Sequence, residues 1–241
     1  MAIEKSKLFL SAEWRWIAIL NFEIDPSRLA RFAPAGTELD SWNGKHFVSL
    51  VGFLFQNTRV WKIGFPFHRD FEEVNLRFYV RRKASDGWRR GVVFIREIVP
   101  RTAIAFVARA FYNENYISLP MSHRIEIGGQ ISAEYSWFSA GRKHSLRVTA
   151  NGDPSELVPG SEAEFITEHY WGYTRQRNNR TLEYRVEHPS WRVWNADEPQ
   201  FSCDVRSLYG EEFEEALNRK PASAFLAEGS MVNVLCGNLC R

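Results

Sequence analysis

The stretch that decides the fold reads Phe71-Glu72-Glu73-Val74-Asn75-Leu76-Arg77-Phe78-Tyr79-Val80. With the two-residue period of a β-strand, one face carries four apolar side chains, those of Val74, Leu76, Phe78 and Val80. The other face carries an acid, an amide, a guanidinium and a phenol, those of Glu73, Asn75, Arg77 and Tyr79. These groups can hydrogen-bond one another or a ligand. Two interpretations stay open: a solvated face with a cross-strand ion pair, or a polar face that points into a pocket or barrel interior.

Short strand-like runs recur on both sides of this stretch. The pattern of apolar and β-branched residues predicts strands near residues 9–22, 47–55, 74–82, 91–99, 103–112, 124–127, 131–138, 145–149, 181–186 and 230–235. The segment Ala84-Ser85-Asp86-Gly87 places Asp-Gly between two of these runs and predicts a hairpin.

Helical signals are fewer and shorter. An acid followed by proline at Asp25-Pro26 predicts a helix over residues 25–32. The capping box Ser161-Glu162-Ala163-Glu164 predicts a helix through about residue 170, and a third is expected over residues 211–218. Strands with a few short helices, and no regular β–α alternation, predict a mainly β, β-rich α+β fold closed into a barrel or sandwich. No linker interrupts the chain, so residues 1–241 are expected to form a single domain.

Composition excludes several classes of function. The chain has 241 residues, of which 44% are hydrophobic and 25% charged, as in an ordinary globular protein. A formal net charge of +2, with basic and acidic residues mixed, does not predict nucleic-acid binding. No run approaches the length of a membrane span, and the first residues lack the pattern of a signal peptide. We therefore expect a cytoplasmic protein without membrane contact.

The sequence predicts neither a metal nor an organic cofactor. Three cysteines, Cys203, Cys236 and Cys240, form no CxxC pair, and the six histidines show neither HxH nor HExxH spacing. Nothing resembles a dinucleotide-binding or phosphate-binding glycine loop, and no GxSxG nucleophile elbow is present.

A second polar position is Arg109, inside the otherwise apolar run of residues 103–112. A guanidinium in such a run needs a carboxylate partner, because an unpaired buried charge is very costly. Glu73 and Glu114 are the expected counter-ions. Either this is a structural ion pair, or Arg109 faces an acidic ligand.

The chain resembles the YqjF-like family, a group of unknown function placed with the acetoacetate decarboxylase-like superfamily. The resemblance covers roughly residues 9–235, and its most specific element is the E-x-N-x-R-x-Y-V pattern that begins at Glu73. Supporting segments are Asn43-Gly44-Lys45-His46-Phe47, Gly91-Val92-Val93-Phe94, Ala108-Arg109, His188-Pro189-Ser190-Trp191 and Ala227-Glu228-Gly229-Ser230-Met231-Val232-Asn233-Val234. The resemblance implies a cone-shaped, mainly antiparallel β-barrel with an interior pocket for a small molecule, and it implies that Glu73 is the acidic pocket residue.

The same resemblance argues against one mechanism. In the decarboxylases a pocket lysine forms a Schiff base with the substrate, and a neighbouring lysine keeps that amine neutral. The resemblance implies that the decarboxylase lysines fall near Asn115 and Tyr116, and no lysine lies between Lys83 and Lys143. The sequence therefore predicts a protein that is not a Schiff-base decarboxylase.

The leading hypothesis is a pocket for a small anionic carbonyl or carboxylate compound. Its predicted lining residues are Glu73, Asn75, Arg77 and Arg109, with Tyr79, Asn115 and Tyr116 as further candidates. One alternative is a non-covalent enzyme of lyase or isomerase type in which Glu73 is the general acid or base. Another is an interaction protein whose barrel is filled by its own ion pairs. The sequence leaves open whether the chain forms a homo-oligomer.

Overall fold

The computed structural model describes residues 7–106 and 113–240. The described strands are β1 (Leu8–Glu23), β2 (Glu38–Leu39), β3 (Phe47–Val60), β4 (Phe71–Ala84), β5 (Gly87–Val99), β6 (Tyr116–Ser118), β7 (Met121–Glu126), β8 (Gln130–Ser139), β9 (Arg142–Asn151), β10 (Trp171–Arg175), β11 (Thr181–Glu187), β12 (Val193–Asn195), β13 (Asp197–Ser202), β14 (Ser223–Leu235) and β15 (Asn238–Leu239). The helices are α1 (Pro26–Leu29), α2 (Glu162–Thr167), α3 (Val205–Tyr209) and α4 (Glu214–Leu217), with a 3₁₀ turn at Glu211–Phe213. The mainly β fold with few short helices is confirmed.

Seven of these strands close into a ring. Strand β14 pairs with β1, β1 with β3, β3 with β4 and β4 with β5, all antiparallel. A short parallel contact joins β5 to β10, β10 pairs antiparallel with β11, and β11 returns to β14 through Val186 and Glu187. A closed ring of this kind is the arrangement expected of the barrel that the sequence resemblance implies.

A second sheet, in the order β13-β9-β8-β7, covers the outside of the ring. The apolar face of β4, which includes Val74 and Leu76, belongs to one buried cluster with Tyr135 and Trp137 of β8. Helices α3 and α4 extend the same cluster through Leu208 and other side chains. Because this outer face of β4 is fully packed, its opposite face is directed into the ring.

Local sequence signals set several of the turns and caps. The Asp86-Gly87 hairpin joins β4 to β5, with Ala84 opposite Gly87. Asp25 caps α1 by accepting a hydrogen bond from Ser27 N, and Ser161 caps α2 by accepting one from Glu164 N. These features confirm the predicted hairpin and the predicted starts of the first two helices. Helix α2 ends at Thr167, a turn earlier than predicted.

The strand predicted over residues 103–112 is wrong for residues 103–106, the part of it that the structure describes. Residues 102–106 are helical, and they follow Pro100 after the end of β5. Proline has no N–H to donate to a sheet, which accounts for the end of strand pairing at Val99. Residues 107–112, including Arg109, lie outside the described residues.

No helix among the described residues is both long enough and apolar enough to cross a membrane.

Candidate functional site in the interior of the strand ring

The ring encloses a cavity of about 400 Å³. This volume falls within the range of small-molecule sites, and its walls are mainly aromatic and aliphatic, as such sites usually are. The apolar lining residues include Trp14, Phe53, Phe94, Trp171 and Trp191. The polar lining residues include Glu73, Asn75, Arg77, Glu97, Glu114, Tyr116, Thr167, His169 and Tyr184.

The polar face of β4 supplies the first part of this site. Glu73 is 3% exposed and Asn75 is 2% exposed, whereas Arg77 is partly buried, and all three line the cavity. Of the two interpretations that the sequence left open, the structure therefore supports a polar face that points inward.

A β-bulge brings Glu97 to the same wall. Leu76 of β4 pairs with Arg96 of β5, but Arg77 pairs with Phe94, so Ile95 is an extra residue in β5. Such a bulge changes which side chains face each side of a sheet. After it, Glu97 lies beside Asn75 of β4 on one side and beside Tyr116 of β6 on the other.

Hydrogen bonds connect these groups. Tyr116 Oη donates to Glu73 Oε2 at 3.0 Å, and Asn75 Nδ2 donates to Glu73 Oε1 at 3.0 Å. Tyr184 Oη donates to Glu114 Oε1, also at 3.0 Å. Glu97 Oε2 and Asn75 Oδ1 are buried and have no hydrogen-bond partner.

Burial shifts the three carboxyl groups toward their protonated forms. Desolvation raises the pKa of Glu73 to about 7, against the opposing hydrogen bonds from Asn75 and Tyr116. Desolvation also raises the pKa of Glu114 to about 8. Burial, with the nearby charges of Glu114 and Glu73, holds the pKa of Glu97 well above its usual range. Carboxyl groups that titrate near neutrality can donate or accept protons in catalysis.

Near the end of helix α2, the cavity wall carries a guanidinium and an imidazole instead of carboxyl groups. Arg77 Nη2 donates to Ile166 O at the end of α2 at 3.3 Å, while Arg77 Nε is buried without a hydrogen-bond partner. His169 is 7% exposed, and neither of its ring nitrogens has a hydrogen-bond partner. Burial and the positive charges of Arg90 and Arg77 hold the pKa of His169 well below its usual range, so this ring is neutral.

Two predicted ligand-binding residues are placed away from the cavity. Tyr79 Oη contacts Ser49 Oγ at 2.5 Å, inside a buried polar chain that continues to Asn21. Asn115 Nδ2 donates to Ile95 O at 2.8 Å, which holds the bulge of β5. Neither side chain is among the described residues that line the cavity.

Sequence reasoning identified Glu73, Asn75, Arg77 and Tyr116 as pocket residues, and the structure brings all four to one wall. It named Glu114 only as a counter-ion, and it missed Glu97, His169 and Tyr184. His169 was not singled out, because the spacing of the six histidines matches no metal-binding motif. In the described part of the chain, no group of three or more His, Cys, Asp or Glu side chains is arranged to hold a metal ion.

Solved structures define the class to which this fold belongs. Acetoacetate decarboxylase from Legionella pneumophila superposes with a TM-score of 0.65 and 12% identity, over 98% of this chain and 88% of that one. The enduracididine biosynthesis enzyme MppR complexed with pyruvate superposes with a TM-score of 0.68 and 12% identity, over 99% of this chain and 92% of that one. An acetoacetate decarboxylase-like enzyme from Sphingomonas wittichii RW1 gives a TM-score of 0.63 at 12% identity, over 97% and 93% of the two chains. The fold is therefore acetoacetate decarboxylase-like.

Sequence comparison gives the family. The model of the DUF2071 family, described as uncharacterised conserved proteins, matches residues 11–231, and the chain belongs to this family. The uncharacterised protein YqjF of Bacillus subtilis is 28% identical over 193 residues, which are 76% of this chain and 74% of that protein. The resemblance inferred from the sequence is confirmed.

Proposed function

We propose that this protein binds a small carboxylate or carbonyl compound inside the strand ring, with Arg77 holding its anionic group. One observation carries the proposal: Arg77 lines the cavity with a buried, unpartnered Nε, and its attraction to the nearby Glu73 carboxyl does not form an ion pair between the described residues. A partly buried guanidinium without a hydrogen-bonded carboxylate is costly, and a planar carboxylate matches its donors.

The surroundings of Arg77 support the same ligand class. His169, beside it at the cavity, also has unpartnered ring nitrogens, and a neutral imidazole can donate to a carboxylate or carbonyl oxygen. Glu73, Asn75 and Tyr116 would contact the ligand, whereas Tyr79 and Asn115 would hold the wall in place. Arg109 stays a candidate ligand-binding residue. MppR, which shares the fold, binds pyruvate in its solved complex. A cytoplasmic location stays a prediction.

Replacing Arg77 should weaken carboxylate binding selectively. We expect calorimetric titration with pyruvate and with butanoate to show binding to the wild-type protein. In Arg77→Met the affinity should fall by at least about tenfold, because a charge-assisted bidentate contact is lost. Arg192→Met is the matched control, since Arg192 is an exposed arginine whose Nε is 4.0 Å from Glu156.

Native mass spectrometry of freshly purified protein would also show any small molecule that stays in the cavity. The proposal fails if neither carboxylate binds, or if Arg77→Met binds them as tightly as Arg192→Met does.

A second candidate function is non-covalent acid–base catalysis by Glu73. It is favoured by the pKa of this carboxyl, which burial raises to about 7, and by its position on the cavity wall. Glu73 would remove a proton from the carbon next to the ligand carbonyl, and the same carboxyl would return a proton to the resulting enolate. No lysine is among the described residues that line the cavity, which supports a mechanism without a Schiff base.

Proton exchange provides the test of this second candidate. In heavy water, the methyl protons of pyruvate should exchange for deuterium faster with the protein than without it, as followed by proton NMR. Glu73→Gln should lower the protein-dependent rate by about 100-fold, within the usual contribution of a general base. Equal rates for Glu73→Gln and the wild-type protein would exclude Glu73 as the base.

A further inference from the structure

Most of the cavity surface is apolar, although several glutamates line it. Glu73, Glu97 and Glu114 are 3%, 2% and 8% or less exposed, so their polar atoms contribute little to the surface that a ligand would meet. The wall formed by β1 and β3 is aromatic and aliphatic, and its side chains include Trp14, Ile17, Val51, Phe53 and Phe55. An apolar cavity that the protein leaves unfilled favours an apolar occupant over water.

The pairing of β3 with β4 shows that the cavity is elongated. Arg77 is opposite Ser49, close to the end of α2, whereas Phe71 is opposite Phe55 at the start of β4. Arg77 and Phe71 are six positions apart on β4. This separation is about 20 Å along the strand, or ~15 Å along the axis of a barrel with ordinary strand tilt. The guanidinium is therefore near one end of the cavity, and aromatic side chains surround the other end.

The cavity opens at the end that is remote from Arg77. Among the described lining residues, the exposed ones are Trp61, Phe65 and Ala103, which together form the mouth. Trp61 and Phe65 are in the connection between β3 and β4, and each is 52% exposed. Ile63 and Phe67 of the same connection are also exposed, so apolar surface lies beside the mouth. Exposed apolar surface at an opening is typical of a site that binds apolar groups.

We propose that the ligand is an unbranched aliphatic carboxylate of about 8 to 12 carbon atoms, whose tail lies along the aromatic wall and points toward the mouth. This inference rests on the proposed function for the carboxylate end, which Arg77 holds. A chain of twelve carbon atoms is about 13 Å long at the advance per bond of an extended backbone, so it fits between Arg77 and Phe71. A cavity of about 400 Å³ accepts ligands larger than pyruvate or butanoate, which would leave much of the apolar wall uncovered.

A series of chain lengths tests the tail with unmodified protein. Butanoate, octanoate and dodecanoate are titrated by calorimetry, with 1-octanol as the uncharged counterpart of octanoate. Each additional buried methylene should strengthen binding about threefold to fourfold, so octanoate should bind at least about 50-fold more tightly than butanoate. The heat-capacity change of binding should become more negative from butanoate to dodecanoate, because more apolar surface is buried.

Two phenylalanines of the connection between β3 and β4 provide matched variants. Phe65 lines the cavity, whereas Phe67, which is 87% exposed, is not among the described lining residues. Phe65→Ser should lower the affinity for dodecanoate at least about threefold and leave that for butanoate unchanged, because only the longer chain reaches the mouth. Phe67→Ser should bind both as the wild type does. Equal affinity of the two variants for dodecanoate would refute the position of the tail at the mouth.

The outcomes distinguish this inference from the proposed function. If butanoate binds as tightly as octanoate and dodecanoate do, the tail site is refuted and the proposed function stands. If 1-octanol binds as tightly as octanoate, the carboxylate end and with it the proposed function are refuted, while the tail site stands. If no probe binds, both fail.

Discussion

The free energy of unfolding should decrease as the pH rises from 7 to 9, because the folded protein holds carboxyl protons that the unfolded chain has already released. Burial raises the pKa of Glu73 to about 7 and that of Glu114 to about 8 from an ordinary value of 4.5. A carboxyl with a raised folded-state pKa contributes stability that is fully present below the unfolded pKa. That contribution is lost as the pH rises through the folded pKa.

The expected loss is large for a single group. A shift of one pKa unit corresponds to about 1.4 kcal/mol, so Glu73 alone accounts for roughly 3 kcal/mol between pH 4.5 and pH 8. Mutual repulsion with Glu97 makes these losses a property of the cluster, and they cannot simply be added.

The measurement compares wild-type and variant proteins by urea unfolding at pH 5, 7 and 9. Glu73→Gln removes the titration and keeps an oxygen that accepts from Tyr116 Oη. It should therefore equal the wild type in stability at pH 5 and exceed it by about 3 kcal/mol at pH 9. Glu156→Gln removes a solvent-exposed acid and should show no such trend. A stability difference between Glu73→Gln and the wild type that is the same at all three pH values would contradict the prediction.

The sequence predicted the part of the site that follows a regular strand. The alternation over residues 71–80 placed Glu73, Asn75 and Arg77 on one face, and β4 keeps that alternation throughout. The family resemblance then supplied the inward direction of the face and the position of Tyr116. Both depend on contacts with distant strands, which alternation alone does not specify.

The residues that the sequence did not reveal depend on irregular structure. Glu97 reaches the cavity wall only because Ile95 forms a bulge in β5. Without the bulge, a strict two-residue period would put Glu97 on the same face as Val93, which packs in the cluster outside the ring. His169 follows helix α2, which ends at Thr167. It reaches the cavity because α2 packs on Tyr79 through Phe165. Neither Glu97 nor His169 belongs to a recognisable sequence motif, so neither could be assigned to the site from the sequence alone.

A large effect of a single methyl group is expected at Gly172 of β10. Gly172 pairs with Tyr184 of β11, and the tyrosine ring lies directly over the glycine. A Cβ at this position would overlap Cζ and the hydroxyl of Tyr184, which is the group that donates to Glu114. Gly172→Ala must therefore displace the ring and leave the buried carboxyl of Glu114 without this donor.

We expect Gly172→Ala to lower the free energy of unfolding by at least about 3 kcal/mol, since overpacking and a lost buried hydrogen bond to a carboxyl both contribute. Gly129→Ala is the matched control, because no atom lies within 4 Å of a Cβ placed there. A double-mutant cycle with Tyr184→Ala identifies the cause, because removing the ring should remove most of the cost of Gly172→Ala. If that cost is the same with and without the ring of Tyr184, Gly172 is not required to position the tyrosine over Glu114.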